Sequence, residues 1–241
     1  MKRLITWQKL FRLYEVIQPY IKYSLPLEEN LPSEKILVLA PHPDDEAIGC
    51  GGTIYKHTKR GGLAKIVYIT SSSDTRTKEA KKSASVLNVR DFEFWGFSQR
   101  GLREEEDELN DRLYIEISSY KPEIIFLPFL IDNHPDHHAL NASFQKCCQK
   151  GCFKGMVYSY PIWLPVYPNV LIDISDVWEI KKASIESYLS EINTRDYVGM
   201  AEGIARYWAI VKGRDIKYIE TFFRASIKEY CKLWKRINPA K

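Results

Sequence analysis

Three short runs, Lys35–Ala40 (KILVLA), residues 65–70 (KIVYIT) and residues 123–127 (EIIFL), are apolar almost throughout instead of alternating with polar residues. Strands of this kind are buried on both faces, the condition inside a parallel sheet covered by helices. Between them lie stretches that read as helices: residues 47–60, closed by Gly61-Gly62, then residues 77–87 and 104–120. Residues 92–95, Met156–Tyr160 and residues 170–174 read as further strands, and residues 134–150 as a helix. Beyond them, residues 176–193 and 199–211 read as helices, 218–223 as a strand, and the remainder as a basic helical tail. Alternation at this spacing predicts right-handed βαβ units, and so an α/β fold with a Rossmann-like, mostly parallel sheet and helices on both faces. The chain has 241 residues and 45% hydrophobic content, enough for one well-filled domain, placed over residues 34–241. Ligands of such sheets bind beyond the carboxyl ends of the strands, so chemistry is expected just after Ala40, Thr70, Trp95 and Leu127.

Charge and cysteine usage exclude several classes. The net charge is +4, and no Lys/Arg stripe interleaved with aromatics is present, so a nucleic-acid partner is not expected. The five cysteines include no Cys-x-x-Cys pair, and their odd number argues for reduced thiols in a cytoplasmic protein. Cys147, Cys148 and Cys152 have the wrong spacing for a zinc knuckle and read as buried thiols on a helix face. The first 24 residues are not a signal peptide, because Lys9, Arg12, Glu15 and Gln18 interrupt the apolar run. They read as an amphipathic helix with Leu4, Trp7, Phe11, Tyr14, Ile17 and Ile21 on one side, joined by a linker to residue 33. Such a helix docks on its own domain more often than it lies on an anionic membrane, which leaves peripheral membrane contact as the second reading. A homo-oligomer is compatible with the composition.

Two segments concentrate metal-ligand residue types. Pro41-His42-Pro43-Asp44-Asp45-Glu46 follows the first strand, and Asp132-Asn133-His134-Pro135-Asp136-His137-His138 follows the fourth. Together they hold four of the five histidines, at two points that the expected fold brings together. A catalytic zinc takes three imidazole or carboxylate ligands and leaves a position for water, which it acidifies to near neutral pH. Amide hydrolysis also requires a base beside the water and a group for the oxyanion. His42, Asp45 and one of His134 or His137 would complete a three-ligand site, with Asp44 left as base and the other histidine facing the oxyanion. The competing structural reading is a polar turn in which one aspartate caps the next helix, but that role needs neither the histidine nor the second aspartate. Glu46 either braces the site or stabilises the first helical turn.

At these residues the chain resembles the LmbE-like (PIG-L) family of zinc-dependent N-acetylglucosamine deacetylases. Ala40-Pro41-His42-Pro43-Asp44-Asp45-Glu46 matches the first family signature and His134-Pro135-Asp136-His137 the second. The likeness extends from about residue 36 to residue 222. It includes Gly49-Cys50-Gly51-Gly52-Thr53, Arg76-Thr77-Lys78-Glu79, Asp173-Ile174-Ser175, Lys181, and Tyr218-Ile219-Glu220-Thr221-Phe222. The resemblance implies that His42, Asp45 and His137 hold Zn2+, with Fe2+ as the other candidate for this donor set. It also implies that Asp44 is the general base, that His134 stabilises the oxyanion as an imidazolium, and that Asp136 stands behind a histidine to fix its tautomer. Arg76 is implied to contact substrate, and Asp74, after the second strand, either does so or caps the following helix. Asn88 stands where the family usually has glycine, and Ser190-Glu191 where it usually has Ser-Gln; both bear on substrate fit and neither on the metal set.

The expected activity is removal of an N-acyl, typically N-acetyl, group from an amino-sugar conjugate. Two other readings compete. A nucleotide-dependent Rossmann enzyme accounts for the fold but lacks the glycine fingerprint and leaves both histidine motifs idle. A non-catalytic, membrane-docked glycan-binding protein accounts for the N-terminal segment. Gly49, Gly51 and Gly52 are assigned to close helix–sheet packing. Tyr158, Tyr160, Trp163 and Tyr167 are assigned either to packing or to stacking on a sugar face.

Overall fold

The apolar runs alternate their side chains between two faces, and each face needs its own cover of helices. In the computed structural model, which describes Arg12 and residues 25–70, 73–212 and 215–238, both covers are present. Apart from Arg12, the N-terminal amphipathic segment lies outside the described residues, and with it the choice between docking and membrane contact. The described strands are β1 (Leu27–Glu28), β2 (Lys35–Ala40), β3 (Leu63–Thr70), β4 (Asp91–Phe97), β5 (Ile124–Pro128), β6 (Met156–Tyr160), β7 (Val170–Asp173) and β8 (Ile219–Ser226). The described helices are α1 (Asp45–Lys59), α2 (Asp74–Val86), α3 (Glu106–Tyr120), α4 (Pro135–Gln149), α5 (Trp178–Glu186), α6 (Leu189–Ile192), α7 (Tyr197–Lys212) and α8 (Ile227–Ile237). None of the helices among the described residues is long and apolar enough to cross a membrane.

The strands form one sheet in the order β1-β7-β8-β6-β5-β2-β3-β4. All pairings are parallel except those of β8, which runs antiparallel to both β6 and β7. Ile36, Val38 and Ala40 of β2 join Ile66, Tyr68, Ile124 and Phe126 under α1, α2, α5 and α7. Leu37 and Leu39 join Val67, Ile69, Ile125 and Leu127 under α3, α4 and α8. The chain winds from β2 outward to β4, then crosses back to place β5 on the other side of β2. That reversal is a topological switch point, where loops from β2 and β5 diverge and leave a crevice at their carboxyl ends.

Several elements differ from the sequence-based expectation. Leu27–Glu28, assigned to a linker, pairs in parallel with β7 at the sheet edge. The expected helix over 176–193 is broken into α5 and α6 at Tyr188 (φ −90°, ψ 64°), whose hydroxyl reaches inward to Glu46 Oε1 at 2.5 Å. Asn88, in the glycine position, adopts φ 56°, a left-handed conformation that asparagine tolerates.

Helix α1 itself is interrupted at Cys50 (φ −148°, ψ 17°). Beyond this break the amides of Gly52 and Thr53 lack intrahelical partners, and both donate to the Glu220 carboxylate of β8, at 2.9 and 2.7 Å. Before it, the Ile48 carbonyl accepts from Lys181 Nζ at 2.7 Å, and Lys181 pairs with Glu220 at 2.5 Å. A Cβ on Gly49 would sit 2.3 Å from the Tyr160 ring, and one on Gly52 2.9 Å from Ile174. The glycines of this motif therefore serve close packing of a kinked helix against the sheet.

Candidate metal centre and active-site cavity

The loop after β2 is tied down from the neighbouring strand, because Thr70 donates its amide and hydroxyl to the Pro41 carbonyl at 2.9 and 2.8 Å. This fixes His42 opposite the start of α4, although His42 and Asp136 are 94 positions apart. His42 Nδ1, Asp45 Oδ2 and His137 Nε2 form a nearly equilateral triangle with edges of 3.3, 3.3 and 3.4 Å. Ligands bonded at about 2.0–2.1 Å around a tetrahedral ion stand about 3.3–3.4 Å apart, so the three donors fit zinc.

Each imidazole is oriented from behind by a carboxylate. His42 Nε2 lies 2.9 Å from Asp136 Oδ2, and since an ionised carboxylate only accepts, Nε2 carries a proton and Nδ1 is the nitrogen that faces the triangle, able to ligate once any proton on it is given up. His137 Nδ1 lies 3.2 Å from Asp132 Oδ1, somewhat off the ring's N–H axis, which leaves Nε2 for the triangle. Carboxylate–histidine pairs of this kind are the usual support of a metal-bound imidazole. Asp132 also accepts the amides of His134 and Trp163, both at 3.0 Å, and so joins two loops. The sequence reading gave Asp132 no role. The signal available was its place two residues ahead of His134, since every ligating imidazole needs an outer partner.

The electrostatics favour a positive charge at the triangle. Burial lowers the proton affinity of His42 and His137, but Asp136 and Asp45 in the one case, and Asp45 and Asp132 in the other, outweigh it. The two rings are pushed up to about 9 and about 10. Asp45 is buried, yet the two imidazoles hold its carboxyl far below the usual carboxylate range.

Asp44, at the head of α1, makes no capping hydrogen bond and has φ 124°, ψ −30°, a strained geometry for a residue with a side chain. Its amide donates to Glu46 Oε2 at 3.1 Å, while Glu46 Oε1 accepts from Ser83 and Tyr188 at 2.9 and 2.5 Å. Glu46 is completely buried, and this network braces the strained turn. The Asp44 carboxylate accepts from Arg76 Nη2 at 3.0 Å, and Arg76 also donates to the Pro43 carbonyl at 2.7 Å. Burial, and then the neighbouring Asp45, push Asp44 well above the usual carboxylate range, with Arg76 offsetting part of the rise.

His134 caps α4, its Nδ1 accepting the Asp136 amide at 3.2 Å. The remaining ring proton is then on Nε2, and burial followed by the other two imidazoles lowers the ring's proton affinity. A neutral Nε2–H donor, not an imidazolium, is what this environment presents. The donor atoms of His42, His134 and His137 all fall within 4.8 Å of one another, a grouping able to hold a metal ion.

These residues open onto a cavity of ≈ 220 Å³ walled also by Arg76, Ile162, Trp163, Glu191 and Tyr197. Glu191 and Tyr197 come from α6 and α7; Glu191 belongs to the Ser190-Glu191 pair expected to bear on substrate fit, whereas Tyr197 carried no signal as a site residue in the sequence. Glu191 Oε1 lies 3.2 Å from Arg76 Nε. Asp74 is exposed in the first turn of α2, where Ser73 supplies the cap, and the cavity wall does not include it. Tyr158 and Tyr160 are fully buried in the core, Trp163 lines the cavity, and Tyr167 is exposed away from its wall.

An α/β fold with a triangle of two histidines and one aspartate at its switch point, spaced so that it could hold a metal ion, defines the class. Residues 37–148 match the family described as PIG-L, GlcNAc-PI de-N-acetylase. The chain is 30% identical over 183 residues to a probable N-acetyl-α-D-glucosaminyl L-malate deacetylase 2 of Bacillus cereus, covering 65% of this chain and 83% of that one. It is 26% identical over 190 residues to the diacetylchitobiose deacetylase of Thermococcus kodakarensis, covering 66% and 70%. A conserved protein of Thermus thermophilus superposes with a TM-score of 0.70 at 25% identity, over 78% of this chain and 93% of that structure. The chain belongs to the PIG-L family.

Proposed function

We propose that this protein is a metal-dependent hydrolase that removes an N-acyl group, typically acetyl, from an amino-sugar conjugate. The observation that carries the reading is the donor triangle of His42, Asp45 and His137, sized for zinc and set beside an unliganded, buried carboxylate at Asp44. The deacetylase names of the two curated relatives support the reaction and the amino-sugar class. Fe2+ suits the same donors and is the alternative metal.

When bound by these three residues, a divalent ion would supply a Lewis acid and a water acidified to near neutral pH. Asp44, ionised and held by Arg76 beside the triangle, takes a proton from the attacking water as the N-acyl carbon is approached. His134 Nε2–H donates to the oxygen on which negative charge develops. Asp44 then returns its proton to the leaving amine as the C–N bond breaks, so that water, carboxylic acid and amine balance. Asp136 and Asp132 keep the imidazoles oriented, and Arg76 holds Asp44 in place while facing the cavity.

The test is metal content and acetate release together. His42→Ala, Asp45→Ala and His137→Ala are expected to lose the metal, whereas Asp44→Asn is expected to keep it and lose about 10²–10⁴-fold in kcat. Acetate release by Asp44→Asn at near-normal rates would refute the assignment of the base. An inert wild-type protein across neutral and charged acetamido sugars would refute the reaction.

A further inference from the structure

The active-site cavity encloses ≈ 220 Å³, below the roughly 300–1,000 Å³ usual for small-molecule pockets, so the rest of a sugar conjugate must lie elsewhere. A second cavity of ≈ 840 Å³ adjoins it, and Arg100 is a wall of both. The loop carrying Arg100 is rigidly built. Its amide donates to Asp136 Oδ2 at 2.7 Å, the same oxygen that faces His42, and its φ of 61° holds the left-handed turn. Ser98, just before it, is held through its hydroxyl and its amide by Glu105, at 2.6 and 3.2 Å.

Arg76, Arg206 and Arg224 each have a carboxylate partner. Arg100 and Arg103, which line the second cavity, have none within ion-pair distance among the described residues. The acidic groups beside them are mostly engaged. Asp132 and Asp136 serve the histidines, and Glu106 pairs with Lys146 at 2.7 Å, leaving only Glu104. Both residues are exposed, and a guanidinium group is a fork-shaped donor that matches a carboxylate or a phosphate.

We propose that the conjugate accepted by this site carries an anionic group on its aglycone, bound by Arg100 and Arg103 in the second cavity. The inference rests on the hydrolase reading above and narrows it to acidic conjugates.

The experiment uses three N-acetylglucosaminides that differ only in the aglycone: benzyl, 4-carboxybenzyl and 4-phosphonooxybenzyl. Acetate release and calorimetric binding are both measured for the metal-loaded wild-type protein, Arg100→Gln and Arg103→Gln. The wild type is expected to favour a charged conjugate by roughly tenfold or more in kcat/KM, the worth of one hydrogen bond to a charged group. The preference should reside in KM, weaken with added salt, and shrink at least fivefold in each variant. The relative rank of the carboxylate and phosphate arms identifies which anion the subsite takes. Equal efficiency on all three overturns the subsite and leaves the hydrolase reading standing. Arg100-dependent preferential binding of an anionic conjugate without acetate release upholds the subsite and overturns the hydrolase reading. Neither binding nor release overturns both, and a charge preference unaltered in both variants overturns the assignment to these residues.

Discussion

Asp44 combines two properties that a single substitution separates. It stands at φ 124°, where glycine is at ease and a side chain is not, and it carries the carboxylate assigned as base. Replacing it with glycine releases about 1–3 kcal/mol of backbone strain. Glycine's greater freedom in the unfolded chain subtracts about 0.5–1 kcal/mol. Loss of the contact with Arg76 subtracts little, since Arg76 keeps the Pro43 carbonyl and lies 3.2 Å from Glu191. The carboxyl removed is, moreover, one whose ionised form burial and Asp45 already disfavour. The net expectation is a gain of about 1 kcal/mol, or a Tm higher by roughly 2–4 °C for a domain of this size, with turnover lost. Scanning calorimetry of the wild type, Asp44→Gly and Asp44→Ala at one fixed metal saturation checks it, because bound metal shifts Tm by itself. Alanine removes the same carboxylate but keeps the strain, so the glycine variant should melt above the alanine variant. Equal or reversed Tm values would refute the claim that the turn stores strain.

The remaining predictions concern the groups around it. Without metal, His42 and His137 hold protons up to about 9 and about 10, so their contribution to stability is complete below the ordinary histidine value of about 6.5 and lost as pH rises through 9 and 10. Metal uptake near pH 7 must displace those protons, and calorimetry in buffers of different ionisation enthalpy should count about two released per ion; no release would contradict the ligand set. Glu46→Gln puts an amide N–H₂ against the Asp44 amide or the hydroxyls of Ser83 and Tyr188, so kcat should fall with metal content unchanged and stability should drop by about 1–3 kcal/mol. Lys181→Met should cost about 3–5 kcal/mol by stranding the Glu220 carboxylate, and adding Glu220→Gln should recover part of it; additive losses in urea melts would show that the pair is not a unit.

The parallel half of the sheet was legible because KILVLA, KIVYIT and EIIFL have no polar face to turn toward water. Their order and the switch point then located both histidine segments. Strand direction was not equally legible for β8, since an apolar run buries as well antiparallel as parallel, and its register depends on neighbours distant in sequence. Strand β1 was missed because Leu27–Glu28 is too short to show a period. At the site, the residue types in the two motifs indicated metal chemistry. Which carboxylate stands behind which imidazole was not readable, because Asp132 and Asp136 both sit in polar turns and differ only in where they point. Glu46 was read as ambiguous between bracing and first-turn stabilisation, and its burial beneath Tyr188 is a tertiary fact with no local sequence mark.

The clamp on the kinked first helix has a consequence for how the protein is made. Gly52 and Glu220, which it joins, are 168 positions apart, an interval that takes on the order of ten seconds or more to synthesise. Throughout that interval the nascent α1 has bare amides at its kink and no anion to satisfy them, while the turn bearing His42 and Asp45 hangs from its front end. A ribosome-stalled chain halted short of residue 220 should therefore display every metal ligand and still hold the ion loosely. Competence to grip the cation would arrive only when β8 slots between β6 and β7.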